Sequence, residues 1–250
     1  MLEVIRRIEA KGLYETAKKV LGICNQIYTF AIGEGKVEVN ICAGLSKQLK
    51  SVKVQHLAFI IDKKLFGKLL HDIDNYPHNV LIKIALQIAP LVFLRPSELV
   101  KAEWKEIDFE NRLWTIPPER MKLRRTHIVP FSEQVCILLQ ELYKINGDTD
   151  YLFANWNKRN RPITVEGLRK GLLLLGYGKD VITTHGFRHT ASTMLNELGY
   201  NRDWIKRQLA HSEGNTVRAT YNHAEHLQER RKMLQEWADY LDYLKGVVVK

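Results

Sequence analysis

The spacing of apolar residues predicts a mostly helical chain. From residue 3 to 32, apolar side chains recur every three or four positions, which is typical of an amphipathic helix, and the pattern is interrupted near Gly12. Gly33 ends this pattern, and periodicity is then weak up to about Leu57. Because this weakly periodic stretch is polar and basic, it is the best candidate for an interdomain linker, which we set at residues 51–60.

Helical periodicity returns after this linker. Asp62 can cap a first helix, and the turn at Asn75-Tyr76-Pro77 precedes a long apolar helix from about Asn79 to Phe93. Pro96 lies in the first turn of the next helix, a position that proline favours. Later helices are predicted at 132–145, 164–175, 184–198, 202–211, 216–222 and 226–244.

A different pattern occupies residues 103–130. Short apolar segments at 104–109, 113–116 and 127–129 predict three strands, with turns at Glu110-Asn111 and Met121–Arg124. The fold class that follows is mainly α with a small antiparallel three-stranded β-sheet, that is, α+β.

Composition narrows the classes of function. The net charge of +10 favours a polyanionic partner, nucleic acid first and an anionic membrane surface second, although a merely basic protein is an alternative. Cys24, Cys42 and Cys136 are far apart and form no CxxC pair, which fits a reducing cytosol and indicates neither a disulfide framework nor a zinc knuckle. The sequence contains no run of 18 apolar residues, so it predicts no membrane-spanning helix.

Two pairs of residues are candidates for binding or attacking a phosphate. One pairs a histidine with an arginine, and the other pairs a histidine with a tyrosine. His185 and Arg188 are three residues apart at a predicted helix start, so both can face an anion that the helix dipole also favours. Tyr221 follows His211 by ten residues, and a phenol with a pKa of about 10 needs nearby cations to act as a nucleophile at neutral pH. The alternative is that Tyr221 packs between helices with its hydroxyl exposed.

A metal site is the competing interpretation of the histidines. His185 and His189 stand at i and i+4, as do some zinc ligands, but no HExxH glutamate and no obvious third ligand accompany them. His223 and His226 invite the same weak interpretation. We expect no metal, no other cofactor and, since no P-loop is present, no ATP requirement.

Four segments together resemble the catalytic boxes of tyrosine recombinases. They are Phe93-Leu94-Arg95-Pro96-Ser97-Glu98-Leu99, His185-Gly186-Phe187-Arg188-His189-Thr190, Leu209-Ala210-His211-Ser212, and Tyr221. The stretch from Ile116 to Lys122, continued by His127-Ile128-Val129-Pro130, is similar to the prophage and genomic-island integrase subgroup. The resemblance covers residues 60–225, and residues 1–50 resemble the rear part of the helical core-binding domain.

The resemblance implies a role for each matching residue. Arg95 and Arg188 would hold the non-bridging oxygens of the scissile phosphate, with Glu98 supporting Arg95 from behind. His211 would donate to a non-bridging oxygen. Tyr221 would attack the phosphate, leaving a 3′-phosphotyrosyl bond and a free 5′ hydroxyl.

Two further catalytic roles concern protons. Lys122, in the turn between two strands, would be the general acid for the leaving 5′ oxygen, with Lys105, Arg124 and Arg125 as nearby alternatives. His185 would assist in proton handling and in positioning the phosphate.

The resemblance also implies double-stranded DNA as the partner. The predicted domains are a partial core-binding domain at 1–50, the linker at 51–60, and a catalytic domain at 61–250. We expect a homotetramer on DNA attachment sites, a monomer free in solution, accessory DNA-bending proteins, and a location on the bacterial nucleoid in the cytoplasm. The predicted DNA-binding residues are Lys47, Lys50, Lys53, Arg124, Arg125, Lys158, Arg159, Arg161, Arg169, Lys170, Arg202, Lys206 and Arg207.

Several alternatives stay open at this point. Relatives in this family begin with an arm-binding domain and a complete core-binding domain, so a truncated chain or a decayed prophage remnant is one interpretation. A DNA-binding protein that no longer cuts is a second function, and a type IB topoisomerase is a third. The apolar face of the last helix, with Leu234, Trp237 and Leu241, either packs on its own domain or, as the resemblance favours, docks on a neighbouring subunit.

Overall fold

A computed structural model describes residues 1–50, 57–211 and 226–248. The chain divides into two compact units, one within residues 1–56 and the other within residues 57–250. The helix predicted at 216–222 lies outside the described residues. In the part of the chain that is described, no helix is both long enough and apolar enough to cross a membrane.

The first unit is a small helical pair. The single helix predicted over residues 3–32 is two helices, α1 (Leu2–Glu9) and α2 (Tyr14–Gly33), followed by a short 3-10 helix at Leu45–Gln48. Gly12 separates them with a φ of 74°, a left-handed conformation that glycine adopts without strain. The buried core residues are Ile5, Ala17, Leu21 and Cys42.

The second unit is mostly helical with a small antiparallel sheet, which confirms the predicted fold class. Its helices are α3 (Lys63–Asp74), α4 (Val80–Val92), α5 (Pro96–Val100), α6 (Glu133–Asn146), α7 (Val165–Leu174), α8 (Gly186–Glu197), α9 (Arg202–Gln208) and α10 (Leu227–Val248). Its strands are β1 (Ile107–Asp108), β2 (Leu113–Ile116), β3 (His127–Pro130), β4 (Ala154–Asn155) and β5 (Lys158–Pro162). Short 3-10 helices lie at Trp104–Glu106 and Pro118–Arg120.

The long apolar helix α4 lies at the centre of this unit. It is buried on most sides because α3, α6, α7, α8 and α10 all pack against it. Asn79 caps its start by accepting from the amide of Leu81 at 2.9 Å. Asp62 caps α3, as predicted, by accepting from the amide of Leu65 at 2.7 Å. Phe93 ends α4 with a φ of 59°, which turns the chain toward α5.

The three-stranded sheet has the order β1-β2-β3, with both pairs antiparallel. Trp114 and Ile116 point into the core, as the alternation in β2 predicts. The predicted strand at 104–109 is correct only at Ile107–Asp108. Residues 104–106 form a 3-10 turn instead, because the Trp104 amide donates to Asp150 O and its indole donates to Asn146 O.

A second sheet, the β4–β5 hairpin, was not predicted from the sequence. Lys158, Arg159 and Arg161 were predicted only as DNA-binding residues, whereas they lie on an exposed strand paired with β4. The Asn155 side chain accepts from the Asn157 amide at 2.9 Å and so stabilises the tight turn. Trp156, at the tip, is 54% exposed.

The last helix, α10, packs on its own domain. Its apolar face, which includes Leu234, Trp237 and Leu241, is buried against the second unit, chiefly on α3, and the Trp237 indole donates to Pro90 O at 2.9 Å. The expectation that this face docks on a neighbouring subunit is therefore wrong. The apolar area is already covered within the chain, and exposing it would forfeit that burial.

The buried histidine on β3 makes the fold sensitive to acid. His127 is enclosed, and burial, followed by the positive charge of Arg230, lowers its pKa to about 3. In the unfolded chain a histidine has a pKa of about 6.5, so only the unfolded state gains a proton as the pH falls from 6.5 towards 3. Stability is therefore complete above pH 6.5 and decreases below it, by about 2 kcal/mol between pH 7 and pH 5 from this residue alone.

Urea unfolding at pH 7 and pH 5 tests this expectation. His127→Gln should lose less stability on acidification than the unsubstituted chain, because glutamine does not titrate. His78→Gln, at an exposed histidine, should behave like the unsubstituted chain. Equal acid sensitivity in all three proteins would contradict the assignment to His127.

Candidate active site

Arg188 lies at the centre of the candidate site. It extends from the first turn of α8, where the Thr183 hydroxyl accepts from the Gly186 amide at 3.0 Å. Its side chain is buried, and its Nη1 donates to Phe93 O while its Nη2 donates to Leu209 O at 2.7 Å. One guanidinium thus links the chain just after α4 to the chain just after α9.

A residue with left-handed backbone lies at or next to each of the two carbonyls that Arg188 contacts. Phe93 has a φ of 59° and Ala210 a φ of 49°, values that residues other than glycine rarely adopt. Each costs on the order of 1–3 kcal/mol and persists only where the surroundings stabilise it. These turns lead directly to Arg95 and His211, so the strain lies where two predicted site residues are oriented.

Arg95 and Glu98 form a supported pair at the start of α5. The Arg95 Nη1 donates to Glu98 Oε1 at 2.7 Å, and the Arg95 amide donates to Glu98 Oε2 at 2.8 Å. The Glu98 side chain is 3% exposed and that of Arg95 is 22% exposed. The carboxylate is therefore more deeply buried than the guanidinium and fixes it through these bonds.

The two histidines share the arginines' electrostatic field. Burial and then the charge of Arg188 lower the pKa of His185, and the same two causes, followed by Arg95, lower the pKa of His211. Burial also lowers the pKa of Arg188 to about 10, with Arg95 as the next cause, so it stays protonated at neutral pH. The charges of Arg188 and Arg95 therefore act on both histidines, so the four side chains belong to one region of positive charge.

Two predicted site residues are not placed at this region by the structure. Lys122 is exposed in the loop between β2 and β3, where Arg124 has a φ of 50°. Lys105, one of its alternatives, pairs with Glu103 at 2.6 Å, and this partner raises its pKa. Tyr221 lies outside the described residues.

Arg120, a partly buried arginine that the sequence did not single out, contacts the backbone of the residue that pairs with Arg95. Arg120 pairs with Glu106, and it also donates to the carbonyl oxygen of Glu98. The Trp114 indole donates to the other oxygen of Glu106 at 3.1 Å. Arg120 therefore connects the sheet to the helix that carries Arg95, and nothing in the local sequence distinguishes it from a solvated charge.

His185 and His189 lie side by side on one face of the start of α8. The rings of His185 and His189 are 5.2 Å apart between centroids, in an edge-on arrangement. Across residues 1–50, 57–211 and 226–248, no three histidine, cysteine or acidic side chains are grouped so that they could hold a metal ion.

The sequence matches two related families. Residues 60–228 match the phage integrase family, and residues 1–48 match the phage integrase central domain. The chain belongs to the phage integrase family. It is 36% identical over 245 residues to the integrase of Shigella phage Sf6 and to the prophage integrase IntS of Escherichia coli K12, covering 97% of this chain and 63% of each relative.

Solved structures of integrases have the same fold. The Tn1549 transposon integrase bound to a circular-intermediate DNA matches with a TM-score of 0.70 at 20% identity, covering 92% of this chain and 83% of that one. A lambda integrase dimer bound to a core site matches with a TM-score of 0.64 at 15% identity, covering 88% and 63%. The chain spans about 63% of the length of the curated relatives named above.

Most of the predicted DNA-binding residues are on the surface. Lys158, Arg159 and Arg161 lie on the exposed strand β5, and Arg169 and Lys170 on the exposed side of α7. The remaining exposed or partly exposed members are Lys47, Lys50, Arg124, Arg125, Arg202, Lys206 and Arg207. Lys53 lies outside the described residues.

Proposed function

We propose that this integrase-family chain is a site-specific DNA recombinase that cleaves and rejoins strands through a 3′-phosphotyrosyl intermediate. The observation that carries the proposal is the buried guanidinium of Arg188, which joins the segments that lead to Arg95 and to His211, while Glu98 pairs with Arg95. Planar guanidinium groups bind phosphate oxygens in two-pronged geometry, which suits a phosphodiester.

Each of these groups has a defined role as the bonds at phosphorus change. Arg95, Arg188 and His211 hold the non-bridging oxygens and stabilise the charge that develops there. The Tyr221 phenolate oxygen forms a bond to phosphorus as the bond from phosphorus to the 5′ oxygen breaks. Lys122 supplies the proton to that leaving oxygen, and His185 assists in proton transfer. The phosphotyrosyl bond keeps the energy of the phosphodiester, so rejoining needs no ATP.

Double-stranded DNA is the proposed partner. The integrases of Tn1549 and lambda, whose fold this chain shares, are bound to DNA in their structures. Exchange between two duplexes requires four strand cleavages, which supports a tetramer on DNA assembled from monomers. We propose that residues 1–50 contribute part of a core-binding domain, that accessory DNA-bending proteins assist, and that the protein acts on the bacterial nucleoid.

A nicked suicide duplex tests the function directly. When a nick lies just beyond the cleavage point, the short 5′-hydroxyl fragment diffuses away and cleavage cannot be reversed. The chain should then form a covalent adduct that survives denaturing electrophoresis, with attachment-site sequences preferred over random ones. Tight DNA binding without an adduct across many sequences would favour a non-cutting protein. Relaxation of any supercoiled plasmid would favour a topoisomerase.

DNA affinity should depend steeply on salt. Each phosphate neutralised by lysine or arginine contributes about −0.9 to the slope of log K against log salt concentration. Replacing Lys158, Arg159 and Arg161 with alanine should flatten this slope by about 0.9 for each phosphate that is no longer neutralised, measured by fluorescence anisotropy from low to high salt.

A surface triplet elsewhere provides the matched control. Lys101, Lys144 and Lys232 are exposed and were not predicted to bind DNA. Their replacement by alanine changes the net charge by the same amount and should leave the slope nearly unchanged. An equal flattening in both triple variants would indicate a general effect of charge and would contradict the specific role of β5.

A further inference from the structure

A buried arginine on α10 has no role in the proposed chemistry. Arg230 is 1% exposed, and its Nε and Nη2 donate to Gln208 Oε1 at 3.2 and 2.8 Å. The Nη2 also donates to the carbonyl oxygen of Ile128 on β3. Within the described residues, the acceptors of the Arg230 nitrogens are the neutral oxygens of Gln208 and Ile128. The buried positive charge of Arg230 is therefore bound by amide groups.

Gln208 connects this arginine to three other elements. It is fully buried at the end of α9, and its Nε2 donates to Val92 O at 2.9 Å. Its backbone oxygen lies 3.2 Å from His127 Nε2, from which it can accept. The side-chain oxygen and nitrogen of Gln208 are thus both used, and they tie α9 to α10 and to the end of α4.

These bonds lie next to the bonds of Arg188. Gln208 and Val92 each directly precede one of the residues, Leu209 and Phe93, whose carbonyls Arg188 contacts. The same two backbone segments are therefore joined twice, once by Arg188 and once by Gln208. Movement of Gln208 would displace the Leu209 carbonyl and, two residues further on, His211.

A purely space-filling role would not require a guanidinium. Burying an arginine without a carboxylate partner is costly, and burial lowers the pKa of Arg230 to about 10. An apolar side chain could fill the volume at lower cost. What the guanidinium adds is a planar set of donors that reaches Gln208 and Ile128 together, and so sets their relative position.

We propose that Arg230 is a positioning residue for strand cleavage, which through Gln208 holds the segment that carries the Leu209 carbonyl and His211. This inference rests on the proposed function. It makes the docking of α10 a requirement for an assembled phosphate site, although α10 itself supplies no group that contacts the phosphate.

The test compares cleavage with DNA binding in three variants. Arg230→Met removes the donors, Arg230→Lys keeps the charge with a single donor group, and Arg231→Met is the matched control at the neighbouring, partly exposed arginine. Each protein is shown to be folded by circular dichroism. Single-turnover adduct formation is then measured on the nicked duplex at saturating protein, and Kd is measured on the same duplex.

A positioning role predicts a loss of rate without a loss of affinity. Arg230→Met should form adduct about 100-fold more slowly, the size of effect that a misplacement of about 1 Å can have, with Kd changed less than about threefold. Arg230→Lys should recover part of the rate, and Arg231→Met should match the unsubstituted chain. A merely structural contact would instead lower the melting temperature and leave the rate per folded molecule intact.

A second variant decides the matter if Arg230→Met does not fold. Gln208→Glu keeps an acceptor for Arg230, so the protein should fold. Because the glutamate cannot donate to Val92 O, cleavage should be slow. Folded Arg230→Lys and Gln208→Glu proteins that cleave at the unsubstituted rate would overturn the positioning role alone. Absence of any adduct with the unsubstituted chain would instead contradict the proposed function.

Discussion

Replacing Tyr221 with phenylalanine should abolish the covalent adduct, with a loss of at least about 10⁴-fold in the rate of its formation. The change removes one oxygen, the atom that would form the bond to phosphorus, and a phenyl ring offers no substitute nucleophile. DNA affinity should be nearly unchanged, because contacts from lysine and arginine to the backbone dominate it. The measurement is the trapped fraction on the nicked duplex over time.

Tyr243 offers a matched control for this substitution. It is 65% exposed on α10, and Tyr243→Phe makes the same chemical change away from the site. This variant should trap DNA at the unsubstituted rate. A normal yield of adduct from Tyr221→Phe would show that another residue attacks, and mass spectrometry of the DNA-linked peptide would identify it.

Features that depend on local chemistry could be predicted from the sequence. Asp62 caps α3 as predicted, because capping depends on one residue and its immediate neighbours. Strand β2 could be predicted because Leu113, Trp114 and Ile116 form a short apolar segment after the turn at Glu110-Asn111. The support of Arg95 by Glu98 was instead an implication of the family resemblance and not of the local sequence pattern.

Features that depend on distant partners could not be predicted. The strand β5, with the sequence KRNRP, has neither apolar alternation nor β-branched residues, and only its pairing with β4 makes it a strand. Arg120 and Arg230 have the sequence neighbours of ordinary solvated charges. Arg230 is buried and Arg120 partly buried because acceptors from other elements, Gln208 Oε1 and Glu98 O, lie within reach.

The burial of Arg188 adds a second role to the one predicted from the sequence. We predicted a guanidinium directed at phosphate, and the structure also shows it donating to Phe93 O and Leu209 O. A guanidinium has five N–H groups, so two bonds to carbonyls leave others for a phosphate. The same side chain can therefore orient the backbone around the site and bind the substrate within it.

This double role predicts a large loss in the conservative variant Arg188→Lys. A lysine ammonium is a compact charge without a planar fork, so it cannot contact both carbonyls and a phosphate oxygen together. Adduct formation should be slower by about 10³-fold, as expected when a donor to developing charge is removed. Single-turnover trapping on the nicked duplex measures this rate, and Arg112→Lys, at a partly exposed ion pair with Glu133, serves as the control.

Stability separates the two roles of Arg188. Arg188→Met leaves both carbonyls without this donor, at a cost of about 1–3 kcal/mol for each buried group, and urea unfolding should show this loss. Arg188→Lys retains one donor and should lose less stability while it remains nearly as slow in cleavage. A lysine variant that cleaves at the unsubstituted rate would contradict phosphate binding and leave Arg188 with its structural role alone. If Arg188→Lys cleaves slowly while its stability and Kd are nearly unchanged, then the contact that lysine cannot make with the phosphate is one that forms in the transition state.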